Sequence, residues 1–164
     1  MAKAVQRAEM PISGANKGIG GKKSGRSAKD SGTYFERMTE DFFSQDGVSA
    51  KRIIGSGALG KIMKDPTLLG DVRISYPILA KDILADCKFG YGGLTQLTLK
   101  KLWFDKIEEE AKLTNKFPAM IGKFKGARGK NSRFIAFSWE TWKELMESLS
   151  DLVENYEGII NGIR

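Results

Sequence analysis

The sequence predicts an α/β fold, a β-sheet flanked by helices, and three observations carry that prediction. Residues 70–89 (GDVRISYPILAKDILADCKF) read as two short strands joined by a turn, with Pro77 near the turn. Apolar residues at helical spacing mark one helix near the start and another near the end: Tyr34, Met38 and Phe42, then Trp142, Leu145, Met146, Leu149, Leu152, Val153 and Tyr156. Between them, residues 117–124 and 133–137 read as two more strands that follow a central helix.

The composition sets limits on function. A chain of 164 residues with 41% apolar content and three Trp is expected to form one globular domain with a real core. A net charge of +7 and a pI near 9.5 suit a nucleic-acid partner, although an anionic membrane surface or a ribosomal partner would suit them as well. Cys87 is the sole cysteine, so no internal disulfide can form, and a reducing, cytoplasmic setting is expected. No apolar run reaches 18 residues, and the N-terminus has no apolar signal-peptide core. The absence of histidine excludes Ser-His-Asp and Cys-His catalysis and any histidine-ligated zinc. Acid–base chemistry is left to Asp, Glu, Lys, Tyr or water, and a metal would be held by oxygen, which favours magnesium or manganese.

In chain order, residues 1–32 read as a flexible basic arm able to lie along phosphates, with Lys3, Arg7, Lys17, Lys22, Lys23, Arg26 and Lys29 against only Glu9 and Asp30. An unstructured tail without a role reads equally from the same residues. Residues 33–164 are expected to be the folded domain. Gly14, Gly18 and Gly20 match a dinucleotide-loop pattern, but no strand precedes them. The first helix is expected over 33–44, started by Asp30 or Ser31, with Glu36 and Glu40 one turn apart on another face, Glu40 reading as solvated and Glu36 left open. A strand over 48–54 leads into Gly55-Ser-Gly-Ala-Leu-Gly60-Lys61, which nearly fits a P-loop. Ile62 stands where a Ser or Thr is needed, so no nucleotide cofactor is expected.

The second helix is expected over 95–113, with Leu99, Leu102 and Trp103 on a narrow apolar stripe and Lys106 and Glu110 marking a charged far side. The loop between the last two strands carries Lys123, Lys125, Arg128, Lys130 and Arg133 with no acid. It suits phosphate contact, or is merely a soluble tip. Ser138 is expected to cap a last helix over 139–156, whose stripe is a core or dimer face.

Candidate chemistry concentrates in residues 70–89. On a strand, Asp86 and Lys88 project from one side, while Ile83, Ala85, Cys87 and Phe89 take the other. Two readings fit. Asp71 and Asp86 hold a divalent metal with Lys88 working beside it, or Asp86 and Lys88 form an ordinary surface ion pair.

The ordered set Tyr34-Phe35-Glu36-Arg37, Gly47-Val48, Arg52-Ile53-Ile54-Gly55-Ser56-Gly57, Gly70-Asp71-Val72 and Asp86-Cys87-Lys88 resembles the PD-(D/E)xK nuclease superfamily. Within it, the chain is most similar to the archaeal-type Holliday junction resolvases, over roughly residues 33–150. It departs from that pattern in having aspartate before x-Lys, a longer segment over 58–69, and Gly70 where proline is frequent. The resemblance implies a restriction-endonuclease-like core with a central mixed sheet and a magnesium-dependent endonuclease, manganese substituting. It implies that Asp71, Asp86 and Glu36 hold the metal, that Lys88 handles the attacking water, and that Ser56 joins the cleavage site. Arg37 and Arg52 would hold phosphates. The implied partners are branched DNA, the four-way junction above all, and a second copy in a homodimer, with roles in DNA recombination and repair. A related nuclease acting on flaps, and a non-catalytic basic nucleic-acid-binding protein, are the alternatives.

Overall fold

Residues 70–89 form the antiparallel pair expected of them, and the sheet grows outward from it. The computed structural model describes residues 27–45, 47–56, 62–63, 65–92 and 95–162. In chain order the elements are α1 (Ala28–Phe43), β1 (Ser49–Arg52), a 3-10 turn (Pro66–Leu68), β2 (Val72–Ser75), β3 (Ile83–Phe89), α2 (Lys101–Thr114), β4 (Phe117–Lys123), a second 3-10 turn (Lys130–Ser132), β5 (Arg133–Ala136) and α3 (Trp139–Gly162). The five strands lie side by side in sequence order in one mixed sheet. Every neighbouring pair is antiparallel except β3 and β4, where Ile83 lies beside Phe117 and Phe89 beside Lys123. A parallel pair needs a long crossover, and α2 supplies it.

Alternation along β3 builds two cores. Ile83 and Ala85 face α1 and α3, packing with Phe35, Val72, Ile74, Phe117, Ala119, Ile121 and Leu145, and Cys87 and Phe89 extend the same cluster. Leu84 faces the other way, onto Leu69, Met120 and the α2 residues Ile107 and Ala111. The architecture is therefore α/β, a mixed sheet with α1 and α3 over one face and α2 over the other. Burying a side chain the size of Phe35 contributes about 2–3 kcal/mol. No helix among the described residues is long and apolar enough to cross a membrane.

Several boundaries differ from the sequence expectation, each for a local reason. α1 starts at Ala28, inside the stretch read as the arm, because Ser27 rather than Asp30 or Ser31 is the cap. Ser27 Oγ accepts from Asp30 N–H, and Asp30 Oδ2 accepts in return from Ser27 N–H, a reciprocal capping box. Residues 1–26, with the glycine pattern at 14–20, lie outside the described residues, as do 57–61 of the second glycine-rich stretch. α2 begins at Lys101, not near 95. The Thr98 N–H is already donated to Tyr91 C=O (2.9 Å), and Gly92 turns at φ +110°, so the chain loops before it coils. α2 stops where Asn115 adopts a left-handed φ of 50° and gives its N–H back to the last turn. Ser138 starts α3 as expected, accepting from Thr141 N–H (3.2 Å), but the helix runs on to Gly162. Its stripe divides: Leu145 is buried in the core, whereas Trp142, Val153 and Tyr156 are exposed.

Candidate active site

Asp71 stands where the chain leaves Gly70 and enters β2. Its N–H donates to Ala85 C=O and its C=O accepts from Ile53 N–H, both at 2.8 Å, so its backbone is held by the strands on either side. Its carboxylate is equally occupied. Oδ2 accepts from Cys87 N–H (2.7 Å) on β3, and Oδ1 accepts from Ser56 Oγ (3.2 Å) in the turn after β1.

Asp86, at 2% exposure, is buried on the α2 side of β3. Lys88 forms an ion pair with its Oδ2, an atom closed to water that takes no hydrogen bond of regular geometry. Lys106 of α2 approaches Oδ1 at 3.4 Å. The Lys88 ammonium also lies 5.3 Å from the centre of the Trp103 ring, which Tyr91 meets edge-on. The surface-ion-pair reading of Asp86 and Lys88 is thus overturned on the acid's side: the Asp86 carboxylate is buried, while the Lys88 side chain stays 15% exposed.

Glu36 reaches the same place from α1. Its Oε2 lies 3.5 Å from Arg52 Nη1, and its charge acts on Asp71. Burial first, and the Asp86 charge second, push the Asp71 carboxyl up to about 6, with Glu36 adding a little; the Cys87 N–H and the Lys88 charge pull the other way. Burial, then the Asp71 charge, also raises the Cys87 thiol well above its usual value, so this cysteine is a poor nucleophile. The structure therefore sets Ser56 against Asp71 and Lys88 against Asp86, with the Asp86, Lys88 and Glu36 charges all acting on Asp71.

The Asp86 charge opposes the ionisation of Asp71, and one buried Asp86 oxygen lacks a regular hydrogen-bond partner. That is the kind of site a divalent cation would relieve. Among the described residues no group of three or more acids or thiols is placed to hold a metal ion, so Asp71 and Asp86 would have to hold one with water completing its shell. Glu36, expected as a third ligand, is drawn to Arg52.

Three residues around this cluster were read differently from sequence. Lys106 and Glu110, assigned to the charged far side of the second helix, face inward, and Glu110 is buried. Glu40, read as solvated, accepts the Arg52 N–H (3.0 Å) and ties β1 to α1. Nothing in helical spacing distinguishes an acid that faces water from one that faces a neighbouring strand.

The basic residues fall in three places. Arg37 is exposed on α1, while Arg52 is engaged with Glu36. Lys123 ends β4 beside Phe89, one register step beyond Lys88, so the hairpin tip with exposed Lys125 and Arg128 lies at the same end of the sheet as the acid cluster. The side chain of Lys130 lies outside the described residues. Burial, with help from the Arg133 charge, lowers the Lys123 pKa. A hollow of about 880 Å³ opens between α1 and this hairpin, with Met38, Phe42 and Ile121 among its apolar lining and Lys123, Arg128 and Arg133 among its basic lining.

No family model and no curated protein matches the sequence. Among solved structures, the chain is similar to Archaeoglobus fulgidus Hjc, a Holliday junction resolvase from an archaeal hyperthermophile, with 15% identity and a TM-score of 0.43. The match covers 66% of this chain and 84% of that one.

Proposed function

We propose that this chain is a magnesium-dependent endonuclease of the PD-(D/E)xK kind that resolves four-way DNA junctions as a homodimer. One observation carries the reading. Asp71, Asp86 and Lys88 meet in a single cluster with Ser56 against Asp71 and Glu36 acting on it from α1. Asp71 and Asp86 would hold the ion directly and Glu36 through water; manganese would substitute. Bound there, the ion supplies a Lewis acid and a more acidic water.

The remaining work belongs to the chain. The Lys88 ammonium, set on the same strand face as Asp86, is placed to orient the attacking water and to offset charge developing on the phosphate. Ser56 Oγ steadies Asp71 and contributes a hydroxyl at the cleavage site. Exposed Arg37 and the tip residues Lys123, Lys125, Arg128 and Lys130 hold the backbone phosphates on either side. Arg52 shares that task when the DNA phosphate competes with Glu36 for it. Recognition of a junction then rests on shape and phosphate placement rather than on base edges. A four-way junction is two-fold symmetric, and a dimer presenting two such clusters matches it.

The test is incubation with a labelled four-way junction, a flap and a linear duplex, with magnesium or with a chelator. Paired symmetric nicks confined to the junction and lost with chelator support the proposal. Equal cutting of flap or duplex moves the substrate to other branched DNA. Binding without cleavage under magnesium or manganese leaves a non-catalytic binding protein.

A further inference from the structure

Glu110 has no part in the chemistry above, yet it is a buried carboxylate that spends both its oxygens on the acid pair's surroundings. Oε2 accepts from the Gly70 N–H at 2.9 Å, and Gly70 is the residue immediately before Asp71. Oε1 lies 3.4 Å from the Lys106 ammonium, which lies in turn 3.4 Å from Asp86 Oδ1. Lys106 and Glu110 are one turn apart on α2, on the side where Ile107 and Ala111 pack against the sheet. We propose that Glu110 is a positioning residue: from α2 it fixes the Gly70–Asp71 backbone with one oxygen and, through Lys106, Asp86 with the other, so that α2 sets the spacing of the two carboxylates.

The local backbone is built for this contact. Gly70 adopts φ +71°, which turns its N–H out of the sheet toward α2. A side chain could not take its place, because a Cβ there would lie 2.6 Å from Leu84 Cδ1. Proline could not take it either, having no N–H to give. Leu84 itself packs on Ile107 and Ala111, so α2, Gly70 and β3 interlock at the point where Asp71 begins. Partners outside the coordinating atoms characteristically change metal affinity by about 10–100-fold when removed.

The inference rests on the nuclease reading for its consequence, magnesium affinity, but not for the positioning itself, and the experiment separates the two. Magnesium chloride is titrated calorimetrically into DNA-free protein, and amide exchange at Gly70 and Asp71 is followed by NMR in chelator. Glu110→Asp keeps the charge but is one methylene too short to reach Gly70, whereas Glu110→Gln keeps an acceptor at full reach and loses the charge facing Lys106. The expected order of magnesium affinity is wild type, then Gln, then Asp, with Asp and Glu110→Ala weaker than wild type by about 10–100-fold. Exchange at Gly70 should rise in Asp and Ala and stay near wild type in Gln. Should Ala fail to fold, the contrast between Asp and Gln carries the test. The reverse order, or a lower melting temperature with magnesium affinity and Gly70 exchange unchanged, overturns the positioning role. A wild type that neither binds magnesium nor cleaves DNA overturns the nuclease reading, and the Gly70 exchange contrast then decides the positioning alone.

Discussion

Replacing Asp71 with Asn should stabilise the metal-free protein at pH 8, although it removes a residue central to the proposed chemistry. Burial, and after it the Asp86 charge, lifts this carboxyl from 3.8 to about 6. A carboxyl that is harder to ionise folded than unfolded favours the fold fully below pH 3.8, and that advantage is gone once the pH has risen through 6. At about 1.4 kcal/mol per pH unit the gap comes to about 3 kcal/mol. Water reaching the half-buried carboxylate screens part of it, leaving roughly 1–2 kcal/mol, or about 5 °C for a chain of this size. Asparagine keeps the shape and can still accept the Cys87 N–H. The assay is thermal melting in chelator at pH 8 and at pH 4. The variant should melt higher at pH 8, with the difference closing at pH 4. An Asn variant that melts at or below wild type at pH 8 would refute the account of two carboxylates in conflict.

Asp86→Asn should abolish cleavage while junction binding in a gel-shift assay stays near wild type; cleavage at the wild-type rate would remove Asp86 from the site. Gly122→Ala should cost about 1–3 kcal/mol in urea melting, because its Cβ would overlap the Phe134 ring at Cζ and the ring must leave its seat. An unchanged midpoint would show that Phe134 moves aside freely. Removing residues 1–26, which leaves the Ser27 cap intact, should weaken DNA binding and flatten its salt dependence by about 0.9 in slope for each phosphate the arm had neutralised; an unchanged slope would make the arm a bystander.

What the sequence disclosed depended on whether the deciding interaction was local. Period-two alternation placed Asp86 and Lys88 together and set Ile83, Ala85, Cys87 and Phe89 on the other face, because strand geometry is a property of the chain alone. The capping of α3 by Ser138 was local too. The true cap of α1 was equally local but was missed: in Ser27-x-x-Asp30 the acid is the third helical residue, not the start. Glu110 and Lys106 were not legible, because their orientation is decided by Gly70 and Asp86, some 40 and 20 residues away in the chain. The burial of Asp86 escaped notice for the same reason: the covering element, α2, comes later in the sequence and its docking leaves no mark on the strand.

The parallel pairing of β3 with β4 has a consequence for synthesis. β3 takes its partner from residues 117–123, so while a ribosome is still adding α2 this strand is the open border of a three-stranded meander. Its first four residues are all buried in the finished protein, and at that moment Ile83, Leu84 and Ala85 lie along a strand with one side unpaired and open to any other extended chain nearby. Nascent chains halted before residue 117 should therefore clump or recruit chaperones, and those released after β4 should not.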